Sequence, residues 1–274
     1  MKKLVLALIV LALCSVSFAQ DPSLKKIASH QQEAASPSPF ATLSCSVDLP
    51  IFVSGANNTY LRYCLTDNGN IPYFESPVGH QQIWGPEGYG LCDTSTATAY
   101  YDYAYLDSGN WGAPTIVSQT DTVVKIARTT GDDAWTLTQT FTQVASTSLV
   151  KVAMALKNNT NTARGANLVR YVYAAPDGVA VSNYDGTQNS AFAWNSIGSG
   201  DHPFGLLLQN VGTSVFGGYN GFAQTVPDGP PPCNYAANFT GGVGVGIQGS
   251  LVMVYVGSVP AHKTKTFTMS YKGL

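Results

Sequence analysis

Charge is what this chain has least of. Lys, Arg, Asp and Glu together make up 11% of its 274 residues, under half of the usual quarter. No basic block stands out, and without Lys2 and Lys3 the formal charge only moves from −2 to about −4. Nucleic acid and anionic membranes are therefore not expected partners. Long apolar runs are equally scarce. The unbroken run at 4–13 is shorter than the ~20 residues a bilayer span needs, so no integral membrane segment is expected once the leader is removed. Beyond residue 39 no sustained helical stripe occurs, which excludes a helical bundle. Also missing are a P-loop, an H-E-x-x-H pair and a G-x-S-x-G elbow, so no cofactor and no metal is implied.

What is present begins with a leader. Lys2 and Lys3 precede the apolar run, and Ser17-Phe18-Ala19 places small residues at the positions a signal peptidase reads. Residues 1–19 therefore read as a signal peptide, and the mature chain is expected to start at Gln20, secreted or periplasmic. Cys14 is no lipidation site on this reading, because bulky Leu13 precedes it. The short Lys-Lys leader has a bacterial look. Residues 20–39 read as a flexible leader: Asp21-Pro22 opens a short helical stripe that dissolves into Ser36-Pro37-Ser38-Pro39. The remaining 40–274 is long enough for a single all-β domain.

Four cysteines remain: Cys45, Cys64, Cys92 and Cys233. An even number in an exported chain favours disulfides, and the spacings match no zinc pattern. Cys45 and Cys64 fall in neighbouring predicted strands, which favours that bridge and leaves Cys92 for Cys233. The second bridge closes a loop of about 140 residues, worth roughly 5 kcal/mol at most by chain entropy.

From Phe40 onward the period is two. In Trp135-Thr136-Leu137-Thr138-Gln139-Thr140-Phe141-Thr142, the apolar residues point one way and four threonines the other, with Gln139 the exception on the apolar face. The run 149–157 puts Val150, Val152, Met154 and Leu156 on one face and Lys151 and Lys157 opposite. Further strands are expected at 59–66, 70–76, 99–106, 122–129, 166–173, 190–195, 205–209, 243–256 and 264–271, separated by Gly and Asn/Asp turns. The fold class is all-β: a large antiparallel β-sandwich, supersandwich-like, in a single domain.

The chemistry-bearing residues are less decisive. The segment 70–93 holds Glu75, His80 and Glu87, which could serve as acid and base on a sugar, with Trp84 and Tyr89 as stacking platforms. The alternative is that the carboxylates close turns and the aromatics fill the core. In 100–105, strand geometry puts Tyr101, Tyr103 and Tyr105 on one face and Asp102 on the other, with Trp111 nearby. Such a tyrosine ladder is either a binding surface or a half-covered core face. The loop from Pro176-Asp177-Gly178 to Asn183-Tyr184-Asp185-Gly186 offers oxygens, though without EF-hand spacing. Asp201-His202-Pro203 reads as a polar knot, and Asp228-Gly229-Pro230-Pro231-Pro232-Cys233 as a rigid loop pinned by its cysteine. Gly241-Gly242-Val243-Gly244-Val245-Gly246 leads into a β run rather than a helix, so it reads as close backbone packing. Glycosylation sequons begin at Asn57, Asn158 and Asn238.

Taken together, Gly69-Asn70-Ile71, Phe74-Glu75-Ser76-Pro77, Glu87-Gly88-Tyr89, the 135–141 strand, Met154-Ala155-Leu156-Lys157-Asn158 and Val169-Arg170-Tyr171 resemble a broad set of uncharacterised exported bacterial β-sandwich proteins. The middle of the chain is also similar to the galactose-mutarotase-like supersandwich. That resemblance implies a carbohydrate-facing concave sheet, and its epimerases use a histidine acid and a glutamate base. Here His80 and Glu87 stand outside that motif's context, and no Glu follows Glu87. The leading expectation is a neutral carbohydrate ligand held by aromatic and amide side chains. A carbohydrate-active enzyme of epimerase, hydrolase or lyase type, and a structural or cell-surface interaction module, stand as alternatives.

Overall fold

A computed structural model describes residues 44–178, 182–186, 190–195, 204–212, 220–224, 231–235, 243–247 and 250–274. The expected signal peptide 1–19, the leader 20–39, Asp201-His202-Pro203, Asp228-Gly229-Pro230, the Asn238 sequon and Gly241-Gly242 lie outside the described residues.

Among the described residues, seventeen strands form three antiparallel sheets. In chain order they are β1 (Phe52–Ser54), β2 (Leu61–Cys64), β3 (Tyr73–Glu75), β4 (Ile83–Asp93), β5 (Thr98–Asp102), β6 (Thr115–Gln119), β7 (Val123–Thr129), β8 (Trp135–Gln143), β9 (Leu149–Asn158), β10 (Arg164–Ala174), β11 (Ser182–Gly186), β12 (Ser190–Trp194), β13 (Gly205–Asn210), β14 (Asn220–Gln224), β15 (Val243–Ile247), β16 (Ser250–Val259) and β17 (Thr264–Gly273). Nine make one sheet in the order β15-β11-β12-β13-β17-β9-β8-β7-β6. Five make a second, β14-β16-β10-β4-β5, and β1-β2-β3 form a small third. No α-helix occurs among the described residues.

The alternation read from sequence is what packs the sheets. In β8, Trp135, Leu137, Gln139 and Phe141 are buried while the four threonines that alternate with them, the last of them Thr142, are half-exposed, and β9 repeats the pattern with Val150, Val152, Met154 and Leu156 inward. These side chains share one core with Leu91, Leu168, Val172, Leu251 and Met253 of the five-stranded sheet. The architecture is thus a β-sandwich, and each buried large apolar side chain contributes about 1.5–3 kcal/mol to closing it.

Three expectations need correction. The run at 243–256 is two strands in different sheets: β15 pairs with β11, whereas β16 pairs with β10 and β14. The stretch 182–186 is a strand rather than part of a loop. Most consequential is β4, an eleven-residue interior strand where sequence favoured Gly/Pro corners. Its glycines are demanded by contact. A Cβ on Gly90 would overlap Pro232 and the Tyr103 hydroxyl, and one on Gly88 would overlap the Asp102 carbonyl. Pro86 is tolerated because the register breaks there: Val172 pairs with Glu87 but Ala174 with Ile83, leaving 84–86 opposite a single residue.

Two disulfides join Cys45 to Cys64 and Cys92 to Cys233, the pairing favoured from strand adjacency. The second pins the 232–234 turn onto the outer side of the five-stranded sheet, where the β4 glycines leave room for it.

Candidate functional site

Glu87 lies on the inward face of β4 and is fully buried. Arg170 of β10 donates through Nε (2.7 Å) and Nη2 (2.5 Å), Tyr271 of β17 donates its hydroxyl (2.5 Å), and the Ile71 N–H donates to the second oxygen. Arg170, equally buried, also donates Nη1 to Gln139 Oε1 at 2.5 Å and reaches the Gly69 carbonyl. Burial pushes the Glu87 carboxyl up, opposed by Arg170, by the Ile71 N–H and by Tyr271. For Arg170, burial works against the charge, but Glu87 and Tyr271 more than offset it and hold the guanidinium above its ordinary value. The cluster ties both large sheets together across the core.

Asp102, Tyr89 and Trp111 form a second interior knot. Arg128 of β7 donates to Asp102 Oδ2 (2.7 Å) and to the Tyr89 hydroxyl (2.9 Å), while Asn68 and Asn70 donate to Asp102 from the turn between β2 and β3. Trp111 stands edge-on to Tyr89 at 5.5 Å. All three of these expected ligand contacts are buried.

The tyrosine ladder differs from the sequence picture. β5 ends at Asp102, and Ala104 takes a positive φ of 69°, so Tyr101, Tyr103 and Tyr105 do not run along one strand. Tyr101 still stacks on Tyr103 at 5.3 Å, and Tyr103 meets Tyr171 at 4.9 Å. Together with Tyr235, Val169, Val252 and Val254 they make a second apolar cluster on the outer side of the five-stranded sheet. Tyr103 is buried and Tyr101 half-buried.

The remaining expected residues meet at a rim. Glu75, at the end of β3, accepts the Tyr73 hydroxyl (2.5 Å) and the Gly79 N–H (2.8 Å), so it braces the turn that carries His80. Gln82 braces the same turn from below, donating Nε2 to the Ser76 carbonyl at 2.6 Å. His80 Nδ1 lies 3.1 Å from both oxygens of Asp177 and stacks on Phe204 at 3.4 Å between ring centroids. Because a carboxylate accepts, Nδ1 is the donor in this pair. Asn195 donates to Asp177 Oδ2 at 2.8 Å. Asp177 itself adopts φ 59°, and its N–H donates to the Gln81 carbonyl at 2.7 Å.

Trp84 completes the rim. It is 43% exposed, donates Nε1 to the Gln81 carbonyl (3.2 Å), and rests on Gly178, where a Cβ would lie 3.5–3.6 Å from the indole. One ring face is backed by that glycine. The His80 and Asp177 side chains beside this turn keep 31% and 27% exposure. The structure therefore brings His80 and Glu75 to one turn, next to Trp84, and sets Glu87 in the core with other partners. Asp177 and Phe204 were not legible as partners of His80, nor Asn195 as a partner of Asp177: Asp177 is 97 residues from His80 in sequence and reads as an ordinary Pro-Asp-Gly turn.

Of the sequons, Asn57 is exposed, whereas Asn158 is fully buried and gives its amide to the Thr162 (2.7 Å) and Val259 (2.9 Å) carbonyls. No group of three or more metal-ligating side chains occurs among the described residues.

No family model matches this chain, and no curated protein matches it. Among solved structures, it is similar in fold to a bacterial glucoamylase complexed with acarbose, at TM-score 0.54 and 10% identity, covering 88% of this chain and 34% of that one. The chain thus spans about a third of the glucoamylase. A protein described as an aldose 1-epimerase from Escherichia coli K12 aligns over 82% of this chain and 99% of its own, at 9% identity and TM-score 0.47. At such identities the likeness is one of fold.

Proposed function

We propose that this is an exported β-sandwich protein that binds a neutral carbohydrate at the rim formed by Trp84, His80 and Asp177. The observation that carries the reading is Trp84: a large aromatic, nearly half exposed, flattened on Gly178 beside a hydrogen-bonded imidazole and carboxylate. Apolar faces of sugar rings pack on such planes, while hydroxyls pair with the polar groups beside them. The leader at 1–19 and the two disulfides support export. The fold shared with a sugar-complexed glucoamylase is compatible with the ligand class.

Pull-down on neutral polysaccharides tests the reading. Binding should survive high salt, because no ion pairing is involved, and Trp84→Ala should abolish it without lowering the thermal midpoint. Retention of Trp84→Ala on every matrix that retains the wild type would refute it.

A second reading, an enzyme acting on sugars, is favoured by one observation: Asp177 orients His80 as an acid–base group. On that reading Glu75 braces the turn, and turnover by the wild type should fall by about 10²–10⁴ in His80→Gln.

A further inference from the structure

The outward face of the nine-stranded sheet carries a charge pattern that neither rim nor core uses. Six lysines fall among the described residues, and four of them, Lys125, Lys151, Lys157 and Lys272, point out from β7, β9 and β17 on this one face. Register confirms the shared side. Lys125 pairs with Thr140, which pairs with Ala153; Lys151 pairs with Thr142; Lys272 pairs with Leu149. None of the four forms an ion pair with a described residue. The arginines that could compete are committed inward, Arg128 to Asp102, Arg170 to Glu87, and Arg164 to Asp93 at the sheet edge. Among the described residues, register places one acid on this face, Asp185 of β11, opposite Phe192 and three strands beyond Lys272, whereas Asp121, Asp132 and Asp133 sit in the turns that flank β7 and β8. In a chain whose formal charge is −2, this is segregation of positive charge.

We propose that this face docks an acidic polysaccharide, one whose sugars carry carboxylates. Between the lysines lie threonine hydroxyls and alanine methyls, a surface that offers sugar hydroxyls partners without obstructing a chain. Lys151 and Lys157 are about 20 Å apart along their strand, and Lys125 lies two strands, about 10 Å, to the side. Charges so widely spaced suit a polymer with one carboxylate per sugar rather than a compact anion. In the row of Lys272, two strands across through Leu207, stands Phe192, stacked on Trp194 at 5.0 Å and half-buried on the same outward side. That pair supplies a ring platform at one end of the lysine field. Nucleic acid fits less well, since this face has no arginine to fork a phosphate. An anionic membrane fits less well too, because Phe192 and Trp194 are half-buried and stand at one end of the lysine rows rather than among them, where an interfacial anchor would insert.

The test is affinity electrophoresis of the full chain through sodium polygalacturonate, beside gels holding neutral amylose or duplex DNA, and flotation with phosphatidylserine vesicles. Retardation by polygalacturonate at low salt, relieved as salt rises, is expected. Affinity should fall about fivefold for each of Lys125→Gln, Lys151→Gln, Lys157→Gln and Lys272→Gln. Lys263→Gln, at a turn, should change nothing, and matching thermal midpoints will show that the variants fold. Trp84→Ala should be retarded like the wild type, so failure of the rim reading and failure of this one are separately visible. No retardation of the wild type, full retardation of the combined lysine variant, or equal binding of DNA or vesicles would overturn the proposal.

Discussion

Gln139 and Arg170 face each other across the core, with Arg170 Nη1 donating to Gln139 Oε1 at 2.5 Å. This pair explains the one break in the alternation of β8. An amide on the apolar side of a strand costs free energy unless it is hydrogen-bonded, and here it supplies an acceptor that a buried guanidinium requires. Glu87 and Tyr271 close the set from two further strands. A carboxylate that sequence nominates for catalysis is thereby committed to holding the sheets together.

Removing one partner of that ion pair should be expensive. Glu87→Gln leaves Arg170 buried without its counter-charge, and a loss of about 3–5 kcal/mol is expected from urea unfolding. Replacing both, as Glu87→Leu with Arg170→Met, should recover much of that loss. A Glu87→Gln protein as stable as the wild type would show that the pair does not bear on folding.

The disulfides should differ in worth. Cys92–Cys233 spans a sequence separation of 141 and Cys45–Cys64 one of 19. Chain entropy gives about 5 and about 3 kcal/mol respectively. Cys92→Ala with Cys233→Ala should therefore lower the thermal midpoint more than Cys45→Ala with Cys64→Ala. It should also loosen the 232–234 turn over Gly90, read as faster amide exchange at Tyr101 and Tyr103.

Tyr73 should titrate late. Burial, then the hydrogen bond to Glu75, pushes its phenol from 10.0 up to about 12. The folded protein keeps that proton where the unfolded chain loses it. The resulting contribution to stability is therefore constant below pH 10 and declines as pH rises from 10 toward about 12. Near-ultraviolet absorbance of tyrosinate should lose one step near the upper value in Tyr73→Phe. A step lost near 10 instead would contradict the contact with Glu75.

Much of the sandwich was legible because the physics was local. β8 and β9 alternate residue by residue, and burial follows that alternation throughout β8. β4 was not legible: its glycines and proline speak for turns, and only the approach of Pro232, Tyr103 and the Asp102 carbonyl makes them strand residues. The site divided in the same way. Trp84 was nominated by its chemistry and is exposed, yet Tyr89, Tyr103, Asp102 and Trp111, nominated on equal grounds, are buried. Their neighbours come from strands remote in sequence, such as Arg128, 39 positions from Tyr89. The partner of His80 arrives from a turn 97 residues on, and no local spacing encodes it.

The most direct test of the carbohydrate reading is to follow indole N–H resonances while neutral oligosaccharides are titrated in. The rim account predicts that the Trp84 signal moves, whereas those of buried Trp111 and Trp135 stay in place. A sugar that binds while the Trp84 signal remains still would contradict it.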